Sequence, residues 1–174
     1  KRFFKKMGGK AWRTAAIELS RGCPYACTFC CVPMQQHQHR AARNLFAEYK
    51  GIDSKVSKQR DPYHREKPIP QFISEVKEAI KKYDLNFVFF TDESFLSMSR
   101  DRLEEFFEAY EEIKLPFFIE TRVETVKPGF GKRLEKINCA GVAMGVESGS
   151  LTLRKSLLDR FMPDSEILRG FKEL

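Results

Sequence analysis

The reading turns on the stretch Ala15-Ala16-Ile17-Glu18-Leu19-Ser20-Arg21-Gly22-Cys23-Pro24-Tyr25-Ala26-Cys27-Thr28-Phe29-Cys30-Cys31. A short apolar run, Thr14 to Leu19, has the composition of a strand, and it breaks at Ser20-Arg21-Gly22 into a loop. That loop holds Cys23, Cys27, Cys30 and Cys31, four of the chain's five cysteines. Such density calls for either a disulfide knot or a metal site. Disulfide scaffolds are short, secreted and loop-rich. This chain of 174 residues shows no signal peptide and carries several long periodic segments, so reduced thiolates that bind metal fit better.

The spacing narrows the choice of metal. Cys23, Cys27 and Cys30 follow Cys-x3-Cys-x2-Cys. Structural zinc takes four protein ligands, commonly two Cys-x2-Cys pairs set apart in the chain. Three thiolates on one short loop suit three corners of a cubane iron–sulfur cluster and leave one iron without a protein ligand. Cys31 is the alternative fourth thiolate, but adjacent side chains point in different directions, so it reads as a packing residue. A zinc site built from His37 and His39 with Cys27 and Cys30 is the other alternative. The Gln-rich run Met34-Gln35-Gln36-His37-Gln38-His39 reads as exposed loop, where histidines are more often solvated than liganding. Cys139 stands alone ahead of an apolar run and reads as a small buried hydrophobe.

Working outward, strand and helix patterns alternate. Phe72, Ile73, Val76, Ala79, Ile80 and Tyr83 recur at helical spacing, as do Leu103, Phe106, Phe107, Tyr110 and Ile113. Ser99 or Asp101 is available to cap the second of these helices. Asn86 to Thr91 is aromatic, β-branched and uncharged, as in a strand buried on both faces. Phe117 to Thr121 and Gly141 to Gly145 are further strands, with helices expected at Lys132 to Ile137 and Asp164 to Leu174. Units of this kind predict an α/β fold in which helices cover a parallel sheet and chemistry collects at the carboxyl ends of the strands. Cys23, Asp92 with Glu93, Arg122, and Glu147 with Ser148 each directly follow an apolar strand, so four loops converge on one mouth. Each has a simpler role when taken alone: Asp92 or Ser94 capping the next helix, Arg122 pairing with a surface carboxylate, Glu147 bonding loop amides. The segment Val32 to Pro70 lacks clear periodicity and reads as a long excursion, with a short helix over Ala41 to Tyr49.

Thirty-one Lys and Arg against twenty-four Asp and Glu give a net charge of +7, which favours an acidic partner. A nucleic acid, or an electron-donor protein such as flavodoxin or ferredoxin, is of that kind. The basic residues gather at Lys1, Arg2, Lys5, Lys6, Lys10 and Arg13, and again between Arg40 and Lys67. No stretch reaches the roughly 18 consecutive apolar residues of a spanning helix. The expectation is a cytoplasmic protein with no membrane partner. Starting at Lys1 and stopping inside a helical pattern, the chain reads as an excerpt of a longer protein.

With the aromatic Phe29 just before the third cysteine, Cys23-x3-Cys27-x2-Cys30 resembles the signature of the radical S-adenosylmethionine (SAM) enzymes. Ile17 to Tyr25 leads from a strand into the cysteine loop as in that family. Phe89 to Phe95 resembles its segment after the second strand, Thr121-Arg122-Val123-Glu124 the end of the third, and Gly145-Val146-Glu147-Ser148-Gly149-Ser150 the end of the fourth. The combination is most similar to the branch whose members often carry a cobalamin-binding domain before the radical SAM domain, with the methylthiotransferases as close relatives. The resemblance implies that residues 1–174 are a radical SAM core domain, a partial (βα) barrel of which about four of six βα units lie here. It further implies a 4Fe-4S cluster on Cys23, Cys27 and Cys30, with SAM bound at the remaining iron and cleaved reductively to a 5'-deoxyadenosyl radical. Cobalamin would come from a domain outside this chain. No catalytic residue is expected beyond the cluster ligands.

The same resemblance places Phe29 beside the adenosyl group and Arg122 on the SAM carboxylate, while Glu147 and Ser148 would meet the ribose hydroxyls. Thr91-Asp92-Glu93-Ser94 occupies the place of the family's Gly-Gly-Glu-Pro motif, which receives the SAM amino group, but both glycines and the proline are absent. Asp92, Glu93 and Ser94 are accordingly all expected at the cofactor. Two alternatives stay open: a methylthiotransferase-like enzyme acting on transfer RNA, and a non-catalytic iron–sulfur or zinc module. Replacing the clustered cysteines one at a time by Ala should divide them. Anaerobically reconstituted Cys23, Cys27 and Cys30 variants should lose iron and sulfide, while Cys31→Ala keeps both at a packing cost of about 1 kcal/mol. Iron and sulfide analysis checks this, and cluster loss in Cys31→Ala with retention in one of the other three would overturn the ligand assignment.

Overall fold

The computed structural model describes residues 9–51 and 63–174, together with the backbone of 3–7. Lys1 and Arg2 of the basic start, and residues 52–62 of the second basic stretch, lie outside the described residues. A hairpin opens the fold, with β1 (Phe3–Met7) antiparallel to β2 (Lys10–Ile17). After a two-residue strand β3 (Ser20–Arg21), helix α1 (Cys31–Lys50) and a second short strand β4 (Arg65–Glu66) that pairs with β3, the alternation expected from the sequence begins. It runs α2 (Ile69–Tyr83), β5 (Phe87–Phe90), α3 (Arg100–Tyr110), β6 (Phe117–Arg122), α4 (Phe130–Lys136), β7 (Cys139–Gly145), α5 (Leu151–Ser156) and α6 (Asp164–Glu173). Strand order in the main sheet is β1-β2-β5-β6-β7, and β2, β5, β6 and β7 are parallel. The α/β fold with four parallel strands is thus present, and the hairpin adds an antiparallel edge that the sequence reading lacked.

Aromatic residues hold the sheet to its helices. Phe90 on β5 is fully buried, and its ring lies 5.3 Å from Phe95, 5.1 Å from Phe117, 5.4 Å from Phe72, 5.8 Å from Tyr110 and 6.0 Å from Phe106. One ring therefore touches α2, α3, β6 and the turn after β5. Tilted and edge-to-face pairs at these separations add to the burial of apolar area, which itself stabilises by about 25 cal/mol per Å². Strand alternation sorts the other side chains: Phe117, Ile119 and Thr121 are buried against the helices, and the intervening Phe118, Glu120 and Arg122 turn to the opposite face. On β7 the partner of Phe118 is Gly141, where a Cβ would stand 3.0 Å from the Phe118 ring. Arg122 is paired with Gly145, so the last residues of β6 and β7 lie side by side at the sheet's carboxyl edge.

The largest difference from the sequence reading is α1. A twenty-residue helix replaces the expected excursion with its short helix at Ala41 to Tyr49, and His37 and His39 sit on it rather than in a loop. Its limits were written in the chain. Cys30 caps its amino end by accepting from the Val32 amide, Pro33 fits the first turn, and Gly51 (φ +64°) closes it. Its interior hid the pattern, because only Val32 and Ala47 are buried along its length and the polar residues show no clean stripe.

Candidate functional site

Four strand ends meet around the cysteine loop. The loop leaves β2 through Gly22, whose φ of +92° suits a residue without a side chain and whose missing Cβ leaves room for Tyr63. Two carboxylates from the end of β5 fix this exit. Asp92 is buried and accepts from the Leu19 amide (3.1 Å), the Ser20 amide (2.5 Å) and the Ser20 hydroxyl (2.6 Å). Glu93 accepts from the Gly22 amide through Oε2 at 3.0 Å. Burial pushes the Asp92 carboxyl up from its ordinary value, and the Ser20 and Leu19 donors pull it back.

The expected cofactor residues Asp92 and Ser94 make their bonds within the chain. The oxygens of Asp92 are taken up by backbone and hydroxyl donors of the β2 exit, so Asp92 anchors the loop rather than facing a ligand. Ser94 likewise turns inward, with its hydroxyl 2.5 Å from that of Ser97 and 3.4 Å from that of Thr121. Of the Asp92-Glu93-Ser94 run only Glu93, half-buried and with Oε1 outside the Gly22 bond, keeps an acceptor to offer. The departure from a Gly-Gly-Glu-Pro sequence has a physical content: an aspartate side chain now does part of the holding of the cysteine loop.

The loop itself is a turn, with the Cys30 amide bonded to the Cys27 carbonyl at 3.1 Å. Gln36 on α1 donates to the Cys23 carbonyl at 2.6 Å and ties the loop to the helix behind it. All five cysteines are free thiols; Cys27 is buried, Cys23 and Cys30 are partly so, and Cys31 is exposed. Burial pushes the Cys23 thiol up, the Tyr25 amide and the Arg122 guanidinium pull it down, and the charges of Cys27 and Cys30 push it up again. Those three thiols therefore share one electrostatic neighbourhood with Arg122. Cys30 stands at the amino end of α1, with its sulfur accepting from the Val32 amide. Cys139, remote from the loop, bonds the Gly141 carbonyl, and burial pushes its thiol up to about 11.

Arg122 at the end of β6 reaches into the loop. Its Nη1 donates to the Cys27 sulfur at 2.8 Å, its Nη2 to Glu124 Oε1 at 2.6 Å, and its guanidinium lies 3.8 Å from the centre of the Tyr25 ring. At the end of β7, Glu147 takes a left-handed conformation (φ +67°) and pairs with Arg160 at 3.2 Å, while the Ser148 hydroxyl accepts from the Ser150 amide. Phe29 is about half exposed on the rim. Arg160 also reaches Glu124 at 3.2 Å and the Gly145 carbonyl at 3.0 Å. The sequence reading gave no role to Glu124, Arg154 or Arg160, and nothing local in the sequence marks Arg154 and Arg160 as the buried arginines they are.

Among the described residues no three His, Cys, Asp or Glu side chains gather closely enough to ligate a single metal ion. His37 and His39 lie two apart on α1, a spacing that sends side chains to different faces and away from a shared zinc with Cys27 and Cys30. A cubane makes a different demand, since each thiolate binds a separate iron and the sulfurs need not converge on one point. Three free thiols on one turn, one at a helix amino end and one facing a guanidinium, have the chemistry of that donor set.

Comparison with known proteins bears on the same residues. The model of the radical SAM superfamily matches residues 17–174. No curated protein matches the sequence. Two solved structures of the radical S-adenosylmethionine methyltransferase TsrM from Kitasatospora setae share the fold at a TM-score of 0.64 and 12% identity. One holds cobalamin and a 4Fe-4S cluster and the other a tryptophan substrate and the SAM analogue aza-SAM. The alignments cover 93% and 92% of this chain but 29% and 28% of theirs, so the chain spans less than a third of TsrM's length.

The two carboxylates after β5 should separate on substitution. Asp92→Ala leaves two buried amides without an acceptor and should lower stability by about 1 to 3 kcal/mol. Glu93→Gln keeps an oxygen for the Gly22 amide and should cost less than about 1 kcal/mol. Urea denaturation of both variants measures the difference, and equal losses would contradict the anchoring role of Asp92.

Proposed function

Because this chain belongs to the radical SAM superfamily, we propose that Cys23, Cys27 and Cys30 hold a 4Fe-4S cluster and that the protein cleaves SAM reductively. The observation that carries this reading is the grouping of those three thiols and Arg122 at one strand-end mouth, with Cys31 outside it. A cluster held there would supply, in its reduced form, the one electron that reductive cleavage of a carbon–sulfur bond of SAM requires, with the sulfur leaving in methionine.

The chain's own residues orient and shield. Asp92 and Glu93 hold the β2 exit so that the loop presents its sulfurs toward Arg122. Oε1 of Glu93 would accept from the SAM ammonium in a charge-assisted bond. Arg122, whose Nη1 donates to the Cys27 sulfur, would hold the SAM carboxylate, whose planar shape matches a guanidinium fork. Tyr25 and Glu124 fix the plane of that guanidinium. Glu147 and Ser148 would meet the ribose hydroxyls, and Phe29 would pack beside the adenosyl group.

We read residues 1–174 as the core domain of this enzyme. Methyl transfer is the reaction class the reading favours, since the structures that share the fold come from a methyltransferase. Cobalamin would then be supplied from outside the chain, and electrons by an acidic donor protein drawn to the net charge of +7. A methylthiotransferase acting on transfer RNA suits the same charge and is the second reading. Among the described residues no helix is long and apolar enough to cross a membrane.

Reduced, reconstituted protein given SAM should release 5'-deoxyadenosine and methionine in equal amounts, and Cys27→Ala should release neither. Arg122→Ala should weaken SAM binding by about ten- to a hundredfold, the loss of one charge-assisted bond. Chromatography of the products and equilibrium binding check both. A loaded cluster that yields no 5'-deoxyadenosine would overturn the reading.

A further inference from the structure

Besides the residues that face the loop, the mouth contains a chain of alternating charges. It runs from the Cys27 sulfur to Arg122 (2.8 Å), Glu124 (2.6 Å), Arg160 (3.2 Å) and Glu147 (3.2 Å). Arg160 stands between the two carboxylates, with a side chain only 3% exposed. Burying a guanidinium is costly unless it is paired, and a buried pair is weak evidence for stability as such. What Arg160 does visibly is geometric. It joins a carboxylate that follows β6 to a carboxylate that follows β7, and its Nη2 also holds the Gly145 carbonyl at 3.0 Å.

The β7 exit needs such a hold. Glu147 is a non-glycine residue at φ +67°, a conformation that persists where its surroundings over-determine it. Its side chain folds back over the last residue of the strand, so that a Cβ on Gly145 would collide with Glu147 Oε1. A second buried guanidinium secures the following residue, since Arg154 Nη1 donates to the Ser148 carbonyl at 2.6 Å and Arg154 Nε to the Met162 carbonyl at 3.0 Å. The turn carrying Glu147 and Ser148 is thus held by arginines of the segment after it, and Arg160 adds a side-chain link from it to Glu124, beyond the pairing of Arg122 with Gly145 across β6 and β7.

We propose that Arg160 is a positioning residue that sets the spacing between the Arg122 end and the Glu147–Ser148 end of the binding mouth, and so the affinity for a ligand that reaches both. It rests on the reading that this ligand is SAM, with its carboxylate at Arg122 and its ribose at Glu147 and Ser148. Glu124 takes part as the shared partner of both arginines and touches no ligand.

The test uses reconstituted protein and S-adenosylhomocysteine, which has both ends and undergoes no cleavage. Arg160→Met keeps an apolar stem in place of the arginine's; Arg160→Lys keeps the charge. For Arg160→Met, calorimetry should show affinity falling about tenfold, the size typical of residues that orient a ligand-holding group. Iron content should stay unchanged, and Arg160→Lys should recover most of the loss. Should Arg160→Met fail to fold, Glu124→Gln, which retains the shape and weakens the pair, should still lower affinity about threefold. A lowered melting temperature with wild-type affinity in whichever variant folds would make Arg160 a structural residue and overturn the proposal. Failure of wild-type protein to bind S-adenosylhomocysteine would instead overturn the SAM reading beneath it.

Discussion

The bond between Asp92 and the backbone at Leu19 and Ser20 is the constraint from which the mouth follows. β2 and β5 are parallel neighbours, and a parallel ladder says nothing about what the chain does after its last paired residue. A buried carboxylate that accepts from two consecutive amides and a hydroxyl settles this, because the first loop residues are tied to the end of the next strand. Glu93 extends the tie to Gly22, and the cysteines begin one residue later. The cluster loop is therefore placed by β5, while β5 is placed by the aromatic packing around Phe90. Core and site are linked through the adjacent residues Phe90 to Glu93.

Charge is balanced inside the mouth rather than against solvent. Partly buried Arg122 and buried Arg160 bring two positive charges to the mouth, and Glu124 and Glu147 answer them in alternation. Burial alone would push the Glu124 carboxyl up, but the bonds and charges of Arg122 and Arg160 hold it below its ordinary value.

The sequence disclosed the parts of this arrangement that depend on local chemistry. Buried strands at Phe87–Phe90 and Phe117–Arg122, amphipathic helices with Phe72 and Phe106 on their inner faces, and a loop of spaced thiols all rest on neighbours close in the chain. What stayed hidden depends on the register of distant elements. Asp92 looked like a ligand contact, because nothing local reveals that Leu19 and Ser20 lie within its reach. Arg160 and Glu124 are thirty-six residues apart, and only the pairing of Arg122 with Gly145 across β6 and β7 brings their loops together. α1 escaped for a different reason: with Val32 and Ala47 as its buried contacts, it lacks the apolar stripe by which helices are read.

The account stands on one iron of the cluster being free of protein and open to SAM. Electron–nuclear double resonance on the reduced cluster, with SAM carrying nitrogen-15 at its amino group, tests this most directly. Coordination predicts a nitrogen-15 coupling that is present with labelled SAM and absent without it. A reduced cubane whose resonance spectrum is indifferent to SAM, with no such coupling, would contradict the claim that three cysteines leave the fourth iron to the cofactor.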